Sequence, residues 1–413
     1  MIILVLQSSP ASLEYRVWNI GDILPRRLIT GKFSGIGEGL GEHIYSYGFG
    51  SGKGRSRMAS HQEAVENIRD TIGVAAQGFS RLEGLELVVG GVGYLLRAKP
   101  PGITKNEVIG PAFVEDLRKS VVPEAEDPDL IADINLLEVS MGVFPSATHV
   151  VVFDELMFSP ISPEIRLYPV PDALTLRGRI SRFSHGAMRL RSILDNTKKA
   201  MPALPRRIIV VDIDETIQVT AIKGDTVVAS THEYGGDSRI LSAGSCGAVS
   251  PAAVRAFADK TGLSFEEVLV QLTRNSGALK PEEGFRSMRQ LVDTLRLDSP
   301  SPLLRLLASS IVFEIAGQVA LLGGIELLII TGDLGADVPA LRTMLVRRLP
   351  ILRLALDDTK NESDVRVSLD VTGKESKVAV VVTRPDPDGQ VVGEIEKLLE
   401  SGGESIDIEI ENR

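Results

Sequence analysis

The sequence predicts an α/β protein built from two similar halves. Three observations carry this. The stretch Arg206 to Thr231 reads as a buried strand, an acid-bearing turn and a hairpin. The N-terminus repeats that plan: Ile2 to Leu6 is a buried strand, Gln7 to Ser12 a small-polar turn, and Leu13, Tyr15 and Val17 alternate as a second strand before Asn19-Ile20-Gly21-Asp22 turns the chain. Finally, 413 residues favour two domains over one, and a 43% hydrophobic content is ample for two cores.

In the opening strand of the second copy, Ile208 to Val211 is β-branched and apolar, and Asp212 sets a carboxylate at its tip. Ile217, Val219 and Ala221 alternate with Gln218, Thr220 and Ile222 as an imperfect period-2 strand, Lys223-Gly224-Asp225 turns, and Thr226 to Ala229 returns. In the first half, Gly35 to Arg57 reads as an exposed hairpin. Its Gly48-Phe-Gly-Ser-Gly-Lys-Gly run lacks two requirements of a nucleotide loop: Tyr47 stands where a glycine belongs, and Gly54 follows the lysine instead of Ser or Thr. His61 to Ala76 has helical spacing, Leu85 to Val89 is a strand followed by Gly90-Gly91-Val92-Gly93, and Phe113–Val121 and Ile131–Val143 are helical. His149 to Phe153 is a buried strand ending in Asp154-Glu155. Ser192 to Leu204 leads into the second half. There, helices are expected at Pro251–Thr261, Ser264–Thr273, Pro281–Leu295 and Leu303–Leu322. Strand Glu326–Ile330 then runs into a glycine-bearing loop, Thr331 to Asp337.

A formal net charge of -10 argues against a nucleic-acid surface, which needs clustered cations. The single cysteine, Cys246, excludes an intrachain disulfide and a Cys-rich zinc site and fits a reducing cytoplasm. The apolar run in MIILVLQSS is too short for a signal peptide, and Leu303–Ile330, interrupted by Glu314, Gln318 and Glu326, reads as a core helix and strand with no membrane span.

The chemistry-bearing positions cluster at strand ends, where open α/β sheets bind ligands. Taken alone, Asp212-Ile-Asp-Glu-Thr216 resembles the first motif of haloacid-dehalogenase-type phosphatases, with Asp212 as nucleophile. That family's lysine should precede its final acidic pair, whereas Lys360 follows Asp357-Asp358, and the immediate hairpin is a poor fit.

The whole chain instead resembles the acetate and butyrate kinase (acetokinase) family of the actin-like ATPase superfamily. Leu6 to Tyr15 looks like its Asn-x-Gly-Ser-Ser-Ser-Leu-Lys-Tyr motif, Val152-Phe153-Asp154 its Val-Phe-Asp segment, and Phe183-Ser184-His185-Gly186 its Phe-His-Gly motif. Ile208 to Val228 is similar to its glycine hairpin, Asn275 to Leu279 to its Ser-Gly segment, and Thr331-Gly332-Asp333-Leu334-Gly335 to its Thr-Gly-Gly-Ile loop. Val378 to Pro385 looks like its C-terminal strand and turn. The resemblance implies two duplicated actin-like (ribonuclease H-like) domains with a central nucleotide cleft. The expected spans are 1–180 for the acyl-substrate side, 181–370 for the nucleotide side, and 371–413 returning to the first domain. It implies ATP-dependent phosphoryl transfer to a small carboxylate, ATP/ADP and Mg²⁺ as cofactors, and a homodimer. On that basis Asp154, His185, Arg97 and Arg239 are the catalytic candidates. Gln7, Ser12, Asp212, Asp214, Thr216, Gly244, Gly247, Gly332, Asp333 and Gly335 are the nucleotide candidates, and Asp212 and Asp337 the metal candidates.

The chain departs from the family where charge matters. Two family arginines fall at Val92 or a neighbour and at Ser245, leaving Arg97 and Arg239 as substitutes. The hairpin glycines become Asp214 and Thr216, the metal-site Glu becomes Ala336 beside Asp337, and the N-terminal Asn and Lys become Gln7 and Glu14. Phosphoryl transfer needs cations at the equatorial oxygens. The departures therefore leave three readings: a carboxylate kinase of weakened activity, a catalytically degenerate nucleotide-binding protein, and the Asp212 phosphatase.

Overall fold

The computed structural model describes residues 1–21, 25–96, 105–119, 128–171, 174, 182, 186–233 and 238–401. The chain divides into two compact units, Met1–Leu156 with Pro387–Arg413, and Met157–Asp386.

In the first unit the strands are β1 (Ile2–Ser9), β2 (Ser12–Asn19), β3 (Arg26–Ser34), β4 (Leu40–Tyr47), β5 (Gly50–Arg57), β6 (Val89–Leu96), β7 (Glu107–Ile109) and β8 (Thr148–Phe153). They form one sheet in the order β5-β4-β3-β2-β1-β6-β8-β7. The helices are α1 (His61–Glu83), α2 (Pro111–Lys119) and α3 (Pro128–Val143). Helix α1 shows why the sequence sets its own boundaries. Ser60 accepts from the Glu63 amide at the start, Gly84 closes the end at φ 66°, and Ala64, Ile68, Ile72, Ala75 and Phe79 bury one stripe between them. Each large apolar side chain so buried contributes about 1.5–3 kcal/mol.

The second unit opens with a short helix, α4 (Pro163–Arg166), and α5 (Ala187–Thr197). The hairpin strands follow: β9 (Arg207–Ile213), β10 (Ile217–Lys223) and β11 (Thr226–Ser230). Helices α6 (Pro251–Thr261), α7 (Phe265–Arg274), α8 (Met288–Asp293) and α9 (Pro302–Leu322) lead to β12 (Leu327–Thr331). Then come α10 (Gly332–Asp337), α11 (Pro339–Arg347), α12 (Asp358–Asn361), β13 (Ser368–Asp370) and β14 (Ala379–Thr383). The sheet order is β11-β10-β9-β12-β14-β13. Strands β9 and β10 are antiparallel, whereas β9, β12 and β14 run parallel. The same pattern occurs as β3-β2-β1-β6-β8-β7 in the first sheet, so the duplication expected from sequence is present, with β4 and β5 as an added hairpin. Helix α9 is long and apolar enough to cross a bilayer by length and composition, and its Leu304, Leu307, Ala308, Ile311 and Ile315 fill the core beneath the second sheet.

The last helix, α13 (Pro387–Glu400), belongs to the first unit and explains one departure from expectation. Strand β6 begins at Val89 and runs through Gly90–Gly93, which the sequence placed after a strand at Leu85 to Val89. A Cβ on Gly93 would sit 2.0 Å from Ile395 Cδ1, and one on Gly91 2.8 Å from Leu399 Cδ1. The glycines are therefore in the strand because α13 lies against it. Two further expectations are corrected. Pro281 to Leu295 is not one helix: Gly284, at φ 72°, breaks it before Ser287 caps α8. Thr331 to Asp337 is not a loop, since α10 starts at Gly332 directly off the strand.

Candidate functional site

Strand β9 alternates. Ile209, Val211 and Ile213 face the core under α9, which leaves Ile208, Val210 and Asp212 on the other face. Asp212 is the penultimate strand residue, opposite Gln218 of β10 and Thr331 of β12. It is buried, so its charge needs a partner. The partner comes from α5, which starts after Gly186 at φ 99° and presents Arg189 in its first turn. Arg189 Nη2 donates to Asp212 Oδ1 at 2.8 Å and its Nε donates to Oδ2, a bidentate pair. The same Nη2 also donates to Asp214 Oδ2 in the turn.

Strand β12 supplies the next wall. Gly332 adopts φ 85°, and a Cβ there would lie 2.4 Å from the Ile213 carbonyl oxygen and 2.7 Å from Asp212 Oδ1. Only glycine allows the backbone this close to the carboxylate. The Asp333 amide donates to Asp214 Oδ1 at 2.6 Å. One turn on, Asp337 accepts from Arg289 of α8 at 2.5 Å and from Arg384, which follows β14. Glu215 accepts from the Met288 amide at 3.1 Å, and its carbonyl accepts from the Ala243 amide at 2.7 Å. Behind α10 the fully buried Arg342 donates to the Gly335 and Ala336 carbonyls at 2.8 and 2.7 Å and to Asn361 Oδ1 at 2.7 Å. These bonds occupy carbonyls at the end of α10 that the helix itself leaves unpaired.

The electrostatics follow from this packing. Burial and then the adjacent Asp212 charge raise the Asp214 carboxyl above the ordinary aspartate range, against the pull of Arg189 and the Asp333 amide. Burial alone would lower Arg189, but the bonds and charges of Asp212 and Asp214 outweigh it and hold the guanidinium charged. Burial pushes Asp337 up, and Arg384 and Arg289 overcome that and hold it below its usual value. Burial brings Arg342 down to about 10, with the Glu362 and Asp337 charges opposing.

An open cavity of about 500 Å³ lies over this constellation, lined by Arg189, Asp212, Asp214, Thr216, Gln218 and Arg289, among others. That is the size range of small-ligand sites. The structure therefore brings together five of the sequence candidates, Asp212, Asp214, Thr216, Gly332 and Asp333, with Asp337 at the far end of the same short helix. Gly335 sits inside α10 against Ile330, its carbonyl held by Arg342. Gly244 and Gly247 serve a second loop: the Gly244 carbonyl accepts from the Ser276 amide at 2.9 Å, and a Cβ on Gly247 would meet the Arg239 carbonyl oxygen at 2.7 Å. Arg239 is not brought to Asp212. It donates to Glu314 of α9, the helix on the other face of the sheet, and to the Ser230 carbonyl, both at 3.1 Å, with Glu233 close by. In the first unit, Gln7 stands opposite Glu14, Ser12 shares a hydrogen bond with Ser9 at 2.6 Å, and the buried Asp154 donates its amide to the Leu96 carbonyl at 2.8 Å. His185 and Arg97 lie outside the described residues.

The expected divalent cation between Asp212 and Asp337 does not fit this arrangement. Each carboxylate is already closed by guanidinium groups, and no three His, Cys, Asp or Glu side chains are placed to hold a metal ion among the described residues. The phosphatase reading fares no better, because both oxygens of Asp212 are held by Arg189. Arg189, Arg289 and Arg384 were missed from sequence. The available signal was the acids themselves, since Asp212, Asp214 and Asp337 converging on one site must draw in cations from elsewhere.

The acetokinase family model matches residues 4–392. The chain is 22% identical over 388 residues to acetate kinase of Dichelobacter nodosus, covering 93% of each protein. It is 21% identical to acetate kinase of Thermosipho melanesiensis over 423 residues, covering 97% of this chain and 98% of that one. The crystal structure of Porphyromonas gingivalis acetate kinase superposes with a TM-score of 0.79 at 17% identity, over 96% of this chain and 99% of that one. A propionate kinase structure from Francisella tularensis gives 0.75 at 17% identity, over 94% and 97%. At such identity these structures establish the two-domain actin-like fold.

Proposed function

The chain belongs to the acetokinase family, and we propose that it transfers the terminal phosphoryl group of ATP to a small carboxylate. The carboxylate oxygen attacks the γ-phosphorus, the bond to the bridging oxygen breaks, and ADP and an acyl phosphate result. The observation that carries this reading is the family match across residues 4–392, with Asp212, Gly332 and Asp333 gathered at the ends of β9 and β12. Nucleotide phosphates would lie over Asp212–Thr216 and Gly332–Asp333, where the backbone approaches closely. The acceptor would lie in the first unit near Asp154, with His185 donating to the transferring oxygens and Arg97 adding positive charge. ATP is the phosphoryl donor in this reading, the cytoplasm its compartment and a homodimer its assembly. One observation favours a second reading, a nucleotide-binding protein without turnover: Asp212, Asp214 and Asp337 are all engaged by arginine.

Hydroxylamine trapping separates the two. With Mg-ATP and acids of two to four carbons, the kinase gives hydroxamate, and Asp154→Asn lowers the rate by about a hundredfold. Undiminished hydroxamate in Asp154→Asn would remove that residue from the mechanism. Nucleotide binding with no hydroxamate from any acid would leave the binding protein.

A further inference from the structure

Arg189 is fixed on one edge and open on the other. Asp212 takes its Nε and Nη2 in a bidentate pair, Asp214 shares Nη2 through one bond, and Nη1 hydrogen-bonds to no group among the described residues. Its side chain is 30% exposed and lines the cavity of about 500 Å³. A buried carboxylate that orients a guanidinium from behind leaves its remaining donors preorganised for an incoming anion. Asp214 is the weaker of the two acid partners, with one shared bond against two, and burial beside Asp212 already disfavours its charge.

We infer that Arg189 is the phosphate-binding cation of this site, held in place by Asp212, and that Asp214 is its exchangeable counter-ion, displaced when a polyphosphate oxygen enters. Resting on the kinase reading above, this reverses the role expected of Asp212. The aspartate positions an arginine and ligates no metal. It also accounts for how a chain with Val92 or a neighbour, and Ser245, at the two expected arginine positions retains a cation for the phosphate chain. The site is then selective for tetrahedral polyanions carrying at least two negative oxygens, and its affinity for them does not depend on a divalent metal.

Calorimetric titration with inorganic tripolyphosphate, in EDTA, tests this on the full chain, with ATP titrated in parallel. The parent binds tripolyphosphate. Arg189→Met weakens it by roughly ten- to a hundredfold, the loss expected for a charged hydrogen bond. Asp212→Asn weakens it less, by releasing the guanidinium from its orientation. Asp214→Asn binds more tightly than the parent, because Asn keeps the acceptor for the Asp333 amide but no longer competes for Arg189 as a charge. That gain cannot come from a destabilised fold. Equal affinity of the parent and Arg189→Met, no tripolyphosphate binding by the parent, or weaker binding by Asp214→Asn would each overturn the inference. Tripolyphosphate binding without ATP binding would retire the nucleotide reading and leave the anion site standing.

Discussion

The two halves close the same strand end with different charge. In the first unit the penultimate residue of β1 is Ser8, whose hydroxyl donates to Asp133 of α3. In the second unit the penultimate residue of β9 is Asp212, which accepts from Arg189 of α5. Both are buried, and both are tied to a helix. One turn is neutral, with the acid on the helix. The other carries Asp212, Asp214 and Glu215 and takes its cation from the helix. The duplicated strand order fixes where the strand end lies and leaves its charge open. The second turn is therefore the one equipped to exchange an internal ion pair for an external anion.

The largest effect is expected at Gly332, which follows β12 and lies against the Asp212 carboxylate. Gly332→Ala puts a Cβ 2.4 Å from a carbonyl oxygen at φ 85°. It should destabilise the second unit by about 3 kcal/mol. Chemical denaturation that shows no loss would mean the backbone approach to Asp212 is not tight. Arg342→Met comes next. It leaves the Gly335 and Ala336 carbonyls without their buried donor and should cost about 2 kcal/mol by the same measurement. Ser8→Ala, the first-unit counterpart of a change at Asp212, removes one hydrogen bond to Asp133 and should cost about 1 kcal/mol. A loss as large as that from Asp212→Asn would erase the contrast between a neutral and a charged turn.

Smaller effects sharpen the contrast through pH. Asp214 is raised in the folded protein, so its penalty is absent below the ordinary value of 3.8 and accumulates as pH climbs through the raised one. Asp337 is lowered, so its contribution is present above 3.8 and is lost as pH falls through the depressed value. Asp214→Asn should therefore lessen the decline of stability on the alkaline side of that range, and Asp337→Asn should lessen the loss on the acid side. Melting curves from pH 3 to 7 read both. The same slope in parent and variants would show that the two carboxyls are not differently placed.

Much of the fold was legible because it rests on periodicity and caps. Ile208 to Val211, the α1 stripe and the α9 core helix announce themselves through local spacing. The glycines of β6 were misread because what requires them, Ile395 and Leu399 on α13, lies about three hundred residues downstream. In the site, Asp212, Asp214 and Gly332 were legible from their place at strand ends. Arg239 looked available from sequence but is bound to Glu314, and Arg189 went unnoticed. Pairing of charges across elements leaves no local pattern, so the acids could be found and their partners could not.

Phosphorus NMR of the reverse reaction tests phosphoryl transfer through Arg189 directly. Acyl phosphates of two to four carbons are mixed with Mg-ADP and either the parent or Arg189→Met. ATP γ-phosphorus resonances should appear with the parent, and at a rate at least about a hundredfold lower with the variant. ATP formation at the parental rate by Arg189→Met, or no ATP from any acyl phosphate with the parent, would contradict it.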